Sequence, residues 1–371
     1  MGKFLGALRL ILLGLLFPLS CFAVWSGEHI WMFKCSLVAT EFGPWFVLPC
    51  LILALVRPGR LSLCLGLAAA LLFSSSEIRS LPVRWGLPQR FLAAFGRPLR
   101  DPPPLAAQAG QAPREIEFDP RAHLWLSYFS AARAEPAPCL IVVHGGGWDG
   151  GDRHEFARWN AWLAQEGIAV ASIDYRLAPA SPWPAQREDL LQARAFLAGH
   201  ANMLGIDPSR FAVLGRSAGA QIAVASAYQK PRLFKAVVDL YGPADLFFAW
   251  KYGRSDDILD SLKLLRQYTG GSPSDSAGVY ADASPWLYAS KDSPPTLMIH
   301  GSQDRLVWCR QSERLDEKLA QEKQGQHLLV LLPWAVHAFD YSFDGPGAAV
   351  CRAGIWNFLD LNLVSGPKAL R

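Results

Sequence analysis

The feature that most narrows what this chain can fold into is a five-residue turn, Gly215-Arg216-Ser217-Ala218-Gly219. It sits between an apolar run ending at Leu214 and an alanine-rich helical stretch from Ala220 to Ala227. A strand that turns straight into a helix leaves little space on either flank of the turn. The serine is held in a strained backbone conformation, and glycine on both sides removes the clash between strand and helix. Its hydroxyl then projects above the end of the strand. A glycine-rich turn with a capping serine gives the same five residues. The strand before it and the helix after it favour a nucleophile.

The surroundings repeat the same alternation. Short apolar runs occur at 115–118, 124–129, 139–143, 168–173, 211–215, 235–240, 296–300 and 328–332. From 139 onward, helical patterns at about 153–166, 186–199, 219–228, 310–322 and 348–361 separate them. Alternating strands and helices predict an α/β fold, an eight-stranded and mostly parallel sheet with helices on both faces. The first two runs, with little between them, predict an antiparallel edge. Ligands of such sheets lie at the carboxyl ends of the strands. The stretch 243–293 is long for a connection and holds a helical piece around 256–268, as a lid insertion would.

Other residues after the runs complete an acyl-transfer chemistry. Ile141-Val142-Val143 leads into His144-Gly145-Gly146-Gly147-Trp148. Three glycines in a row are costly unless backbone must approach something closely. The N–H groups of Gly146 and Gly147, with that of Ala218 after the serine, are the expected oxyanion hole. A phosphate loop would need a Lys-Ser/Thr pair that is missing here, and the dinucleotide spacing is also absent. His144 is read as a support of the loop. A serine nucleophile needs a base, and the base needs an orienting carboxylate. Asp304 follows the run at 296–300 and His337 follows the run at 328–332, which gives the chain order Ser, Asp, His. Trp148, Trp183, Phe247, Trp250 and Phe339 are candidates for an apolar substrate pocket, with plain core as the alternative. His144, His300, Asp304 and His337 lack the spacing of a metal-ligand motif, so neither a metal nor a cofactor is expected.

Residues 114–362 resemble the hormone-sensitive-lipase-like esterases and the related bacterial feruloyl-esterase-type α/β-hydrolases. The resemblance rests on His144 to Trp148, Asp174 to Pro179, Pro184-Ala185 with Asp189, Gly215 to Gly219, Ser293 to Leu297, and the loops holding Asp304 and His337. It implies a serine carboxylesterase with Ser217, Asp304 and His337 as the triad and Gly146, Gly147 and Ala218 as the oxyanion hole. Arg216 departs from the acidic residue that many lipase-like members carry, and the resemblance says nothing about the N-terminal region. Arg176 and Asp189 are read as a structural ion pair. The alternatives are an acyltransferase or deacetylase of envelope glycans or lipids with the same triad, a peptidase of this fold, and a non-catalytic binding protein on the same scaffold. Ala220 stands where prolyl-peptidase relatives usually have another glycine.

Apolar residues make up 51% of the 371 residues and charged residues 18%, and the apolar excess lies in the first 76. Residues 4–25 contain one charge, Arg9; residues 37–56 contain one, Glu41; residues 61–76 contain none. A span needs about 20 apolar residues. Three transmembrane helices over 1–76 are the expectation, with a single anchor plus a re-entrant or interfacial hairpin, or a cleaved signal peptide, as rivals. The chain is therefore expected to be a multi-pass membrane protein. Lys3, Arg9, Arg57 and Arg60 favour a catalytic domain outside the cytoplasm, while Arg79, Arg84 and Arg90 argue the other way. Residues 77–113 are expected to be a Pro-rich connector leading to a catalytic domain at 114–371. Trp85, Leu87, Phe91, Leu92 and Phe95 lie either at a membrane surface or on the globular domain. The net charge of +4 without dense basic runs excludes a nucleic-acid surface, so the expected partners are an ester substrate and a membrane.

Overall fold

The computed structural model describes residues 2–56, 59–104, 112–133 and 136–364. Arg57 and Pro58 of the basic turn and residues 105–111 of the expected connector lie outside them. The chain divides into two compact units.

The first unit comprises Met1–Gly86 with two later segments, His300–Cys309 and Leu331–Cys351. Its helices are α1 (Gly2–Cys21), α2 (Ile30–Glu41), α3 (Gly43–Leu55) and the first part of α4 (Arg60–Phe95). Two of these, α1 and α4, are long and apolar enough to cross a membrane; α2 and α3 are bent by 79° and would count as a third only as a broken span. The expected span at 37–56 falls on this bent pair. Pro44, at the second position of α3, has no N–H to continue α2 but fits the start of a new helix, where that N–H would be unpaired anyway. The helices meet through small side chains, with Ala23, Ala39, Cys50, Ala69 and Ala70 buried around Phe73. Polarity is turned inside out. Ser20, Ser36, Thr40 and Glu41 have no exposure, whereas Phe4, Leu15, Trp45, Leu48 and Leu71 are each at least 65% exposed.

The expected connector begins as helix. Residues 77–95 continue α4 as helix, through Pro82 and Pro88. Leu87, Phe91 and Phe95, spaced by four, form a buried stripe, and Phe95 packs on Phe358 with ring centroids 5.1 Å apart. That burial offsets the hydrogen bonds lost at proline. Trp85 and Leu92, on other sides of the helix, stay exposed. Beyond the helix, Arg100 stacks on Trp356 and bonds Asp360 and Asn357.

The second unit carries the sheet, apart from residues 300–301 and 331–332, which belong to the first. Its strands are β1 (Arg114–Asp119), β2 (Leu124–Phe129), β3 (Ala137–Val143), β4 (Ala169–Ile173), β5 (Ile206–Arg216), β6 (Val237–Leu240), β7 (Thr296–Gly301) and β8 (His327–Leu332), in spatial order β1-β2-β4-β3-β5-β6-β7-β8. β1 pairs antiparallel with β2, and β2 with β4, which gives the expected antiparallel edge. The pairs β3–β4, β3–β5, β5–β6 and β6–β7 are parallel. All seven residues of β3 are buried, as a strand covered on both faces must be. The helices between strands are α5 (Ala157–Gln165), α6 (Ala185–Gly199), α7 (Ala201–Leu204) and α8 (Ala218–Gln229). The stretch between β6 and β7 holds α9 (Leu246–Tyr252), α10 (Ser261–Thr269), α11 (Ala277–Asp282) and a 3-10 turn. The last α-helices are α12 (Arg310–Gln321) and α13 (Pro346–Leu359). Register fixes where the site lies. Val143 pairs with Gly215, so the glycine loop after β3 and the serine after β5 leave the sheet at the same level.

Candidate active site

Ser217 stands between β5 and α8 at φ 53°, ψ −121°, a region an L-residue occupies only under strain. The two glycines of the motif are obligatory. A methyl at Gly215 would stand 2.2 Å from the Gly219 carbonyl oxygen, and one at Gly219 would stand 2.2 Å from that of His144. Ser217 N–H donates to Leu240 O at 2.9 Å, which ties the elbow to β6. Ala218 is the first residue of α8, so its N–H belongs to the helix end, whose donors lack intrahelical partners.

The glycine loop lies against this elbow, with Gly145 closely backed by Arg216 and Ser217. Gly146 has φ 102° and Gly147 φ 62°. His144 supports the loop as expected. Its ring stacks on Tyr175, centroids 4.2 Å apart, and Nδ1 lies 2.8 Å from Gly145 O. A carbonyl only accepts, so Nδ1 carries the hydrogen. Burial lowers the pKa of His144 and keeps the ring neutral. Tyr175 Oη donates to the carbonyls of His144 and Gly145 at 3.1 Å. Arg176 and Asp189 make the expected ion pair, Nε to Oδ1 at 2.8 Å. Arg216 is buried with its guanidinium 4.0 Å from the centre of the Phe156 ring.

The insertion adds residues that the sequence did not single out. Gln221 Oε1 accepts from Trp148 Nε1 at 3.0 Å and from Tyr268 Oη at 2.7 Å, while its Nε2 donates to Ala283 O at 2.6 Å. One buried amide thus links α8, the glycine loop, α10 and the chain after α11. The five pocket candidates separate. Trp148 and Trp183 gather around Tyr268, at 4.3 and 5.8 Å. Phe247 and Trp250 gather around Tyr280, at 5.5 and 6.0 Å. Phe339 belongs to the first unit, where it is fully buried.

Asp304 and His337 come together within the first unit. His337 Nδ1 lies 2.6 Å from Asp304 Oδ2, and both side chains are buried. Asp304 Oδ1 accepts from the N–H groups of Leu306 and Val307, at 2.8 and 2.9 Å. His300 Nε2 lies 3.3 Å from Asp304 Oδ2 and 2.9 Å from Val307 O. Burial alone would raise the Asp304 pKa; His337 and His300 outweigh it and hold the carboxyl well below the usual carboxylate range. An ionised carboxylate only accepts, so Nδ1 of His337 is the protonated nitrogen and Nε2 keeps its lone pair. The sequence raised His300 only among four residues without metal-ligand spacing, and not as a partner of Asp304. Among the described residues, no group of three or more His, Cys, Asp or Glu side chains is arranged to hold a metal ion.

A strained serine at a strand-to-helix elbow, on an eight-stranded sheet of this order, defines an α/β-hydrolase. Within that class the chain belongs to the BD-FAE family, whose model matches residues 127–319. Among curated proteins it is similar to esterase LipC of Mycobacterium tuberculosis, 31% identical over 242 residues (61% of this chain and 59% of LipC). It is also similar to carboxylesterase NlhH of the same organism, 36% identical over 152 residues (38% of this chain and 47% of NlhH). The matches thus span about half the length of these curated relatives. Among solved structures, a bacterial heroin esterase aligns with TM-score 0.60 at 22% identity, covering 70% of this chain and 88% of its own. A hyperthermophilic esterase from Pyrobaculum calidifontis aligns with TM-score 0.58 at 24% identity, covering 69% and 85%. Both structures share the fold.

Proposed function

We propose that the chain is a membrane-anchored serine carboxylesterase, with Ser217 as nucleophile, His337 as general base and Asp304 as the group that orients it. His337 Nε2 takes the Ser217 proton as the oxygen attacks an ester carbonyl. The N–H groups of Gly146, Gly147 and Ala218 hold the oxyanion. The imidazolium returns its proton to the departing alcohol, which leaves an acyl-serine. Water, deprotonated by the same nitrogen, then releases the acid and restores the serine.

The observation that carries this reading is the strained backbone of Ser217, for which an ordinary turn serine has no use. Supporting it is the 2.6 Å pair of Asp304 and His337, which puts the ring hydrogen on Nδ1 and the basic lone pair on Nε2. Membrane anchoring is supported by the exposed apolar faces and buried polar groups of the N-terminal helices. We place the catalytic domain outside the cytoplasm, on the basic residues near the N-terminus and in the turn at 57–60. The insertion at 243–293 serves as a lid, and the aromatic groups around Tyr268 and Tyr280 line the substrate pocket.

A fluorophosphonate probe tests the assignment. Labelling should fall on Ser217, abolish ester hydrolysis in proportion, and be prevented by the His337→Ala substitution. Labelling elsewhere, or hydrolysis that survives complete labelling, would refute it.

A further inference from the structure

An acidic residue inside an apolar N-terminal segment is expensive and calls for a use. Glu41 is the only charge in residues 37–56. The structure turns it inward at the end of α2, with no exposure. Its Oε2 accepts a hydrogen bond from Gly347 N–H at 3.1 Å. Gly347 is the second residue of α13, so this carboxyl oxygen caps the start of a helix from a distant part of the chain. The backbone folds tightly around it. A methyl at Gly345 would stand 2.5 Å from Glu41 Oε2, and one at Gly347 would stand 2.9 Å from the carbonyl of Phe339, two residues beyond His337.

Two further contacts grip the same loops. Ser26 Oγ donates to Gln303 O at 3.2 Å and accepts from Arg305 Nε at 3.3 Å, so it holds both neighbours of Asp304. Arg79 in α4 donates to the carbonyl of Pro333, and Gln303 Nε2 donates to that same oxygen at 3.2 Å. Gln303 N–H also bonds Ala335 O at 3.0 Å. The acid loop and the histidine loop are thus tied to each other; the turn after α1 holds the first, α4 holds the second, and α2 holds the start of α13 beyond it. All these residues belong to one compact unit.

We propose that the N-terminal region is a working part of the catalytic centre, with Glu41, Ser26 and Arg79 as positioning residues that set the Asp304–His337 pair. This rests on the triad assignment above. None of the three touches the reacting atoms. Ser26 and Arg79 fix backbone within four residues of the acid or the base, and Glu41 fixes the far end of the chain that carries His337, at Gly347. An anchor that served only to hold the enzyme at a bilayer would have no need to bond both neighbours of the catalytic carboxylate, the Gln303 carbonyl and the Arg305 side chain.

The test uses the full chain in detergent micelles with a soluble nitrophenyl ester. Glu41→Leu removes the acceptor for Gly347, whereas Glu41→Gln keeps one. Ser26→Ala is the milder second variant. Glu41→Leu is expected to lower kcat about tenfold or more while KM stays within about twofold, because misplacing a catalytic group by an ångström or less is enough. Glu41→Gln should restore most of kcat. The downfield proton resonance of the Asp304–His337 hydrogen bond should shift in Glu41→Leu and return in Glu41→Gln. Should Glu41→Leu fail to fold, Ser26→Ala is judged by the same kcat and resonance criteria. Unchanged kcat and an unchanged resonance in the folded variants would overturn the proposal. His337→Ala separates the two readings: its inactivity beside fully active Glu41 and Ser26 variants would leave the triad standing and remove this inference alone, whereas an active His337→Ala would remove the triad itself.

Discussion

His337 Nδ1 stands 2.6 Å from Asp304 Oδ2, and the carboxylate spends its other oxygen on the backbone N–H groups of Leu306 and Val307. This division of labour fixes the tautomer. One oxygen is locked to the loop, so the other meets the ring in one orientation and holds the hydrogen on Nδ1. The basic nitrogen is then Nε2, the one that points away from the acid.

Substituting Asp304 by Asn tests that logic. Asn keeps an acceptor for Leu306 and Val307 but presents an N–H donor to His337, which forces the hydrogen onto Nε2. We expect kcat to fall by about four orders of magnitude with the fold intact. The check is steady-state kinetics beside a thermal unfolding curve; a variant within about tenfold of wild type would show that the tautomer is not set this way.

The elbow gives a second prediction. A methyl at Gly219 meets the carbonyl oxygens of His144 at 2.2 Å and Val143 at 2.4 Å, and neither strand end can retreat easily. Gly219→Ala should therefore cost about 2–3 kcal/mol of stability. It should also slow fluorophosphonate labelling of Ser217, because the nucleophile and the glycine loop are pushed apart. Urea denaturation and labelling kinetics measure the two effects separately.

The third concerns pH. Burial lowers the pKa of His144, so the folded ring stays neutral while the unfolded ring takes up a proton below about pH 6.5. The unfolded state then binds more protons, and stability falls as the pH drops through that value towards the lowered folded pKa. Comparing unfolding midpoints between about pH 7 and 5 should show this slope in the wild type and a weaker one in His144→Gln. An identical slope in the two proteins would contradict the neutral, buried histidine.

These positions differ in how readily the sequence disclosed them. The strands, the elbow and the glycine loop were legible because each is a local pattern. An apolar run such as Ile141-Val142-Val143 ends directly in the residues that carry chemistry, and register then aligns Val143 with Gly215. The extension of α4 was hidden by Pro82 and Pro88, whose cost is offset only by tertiary burial of Leu87, Phe91 and Phe95. The bend between α2 and α3 was hidden because hydropathy counts apolar residues and carries no direction. α9 and α11, with seven and six residues, are too short to show a helical period. Gln221 and Tyr268 were missed because a polar group's partners lie far along the chain. Glu41 was seen as a charge in an apolar segment; its bond to Gly347, 306 residues away, has no local signature.

The most direct test of the account is the rate of short-chain nitrophenyl ester hydrolysis by the full chain and by Ser217→Ala. The account predicts that the substitution lowers kcat by at least about four orders of magnitude and leaves the unfolding transition in place. Hydrolysis by Ser217→Ala close to the wild-type rate would contradict it.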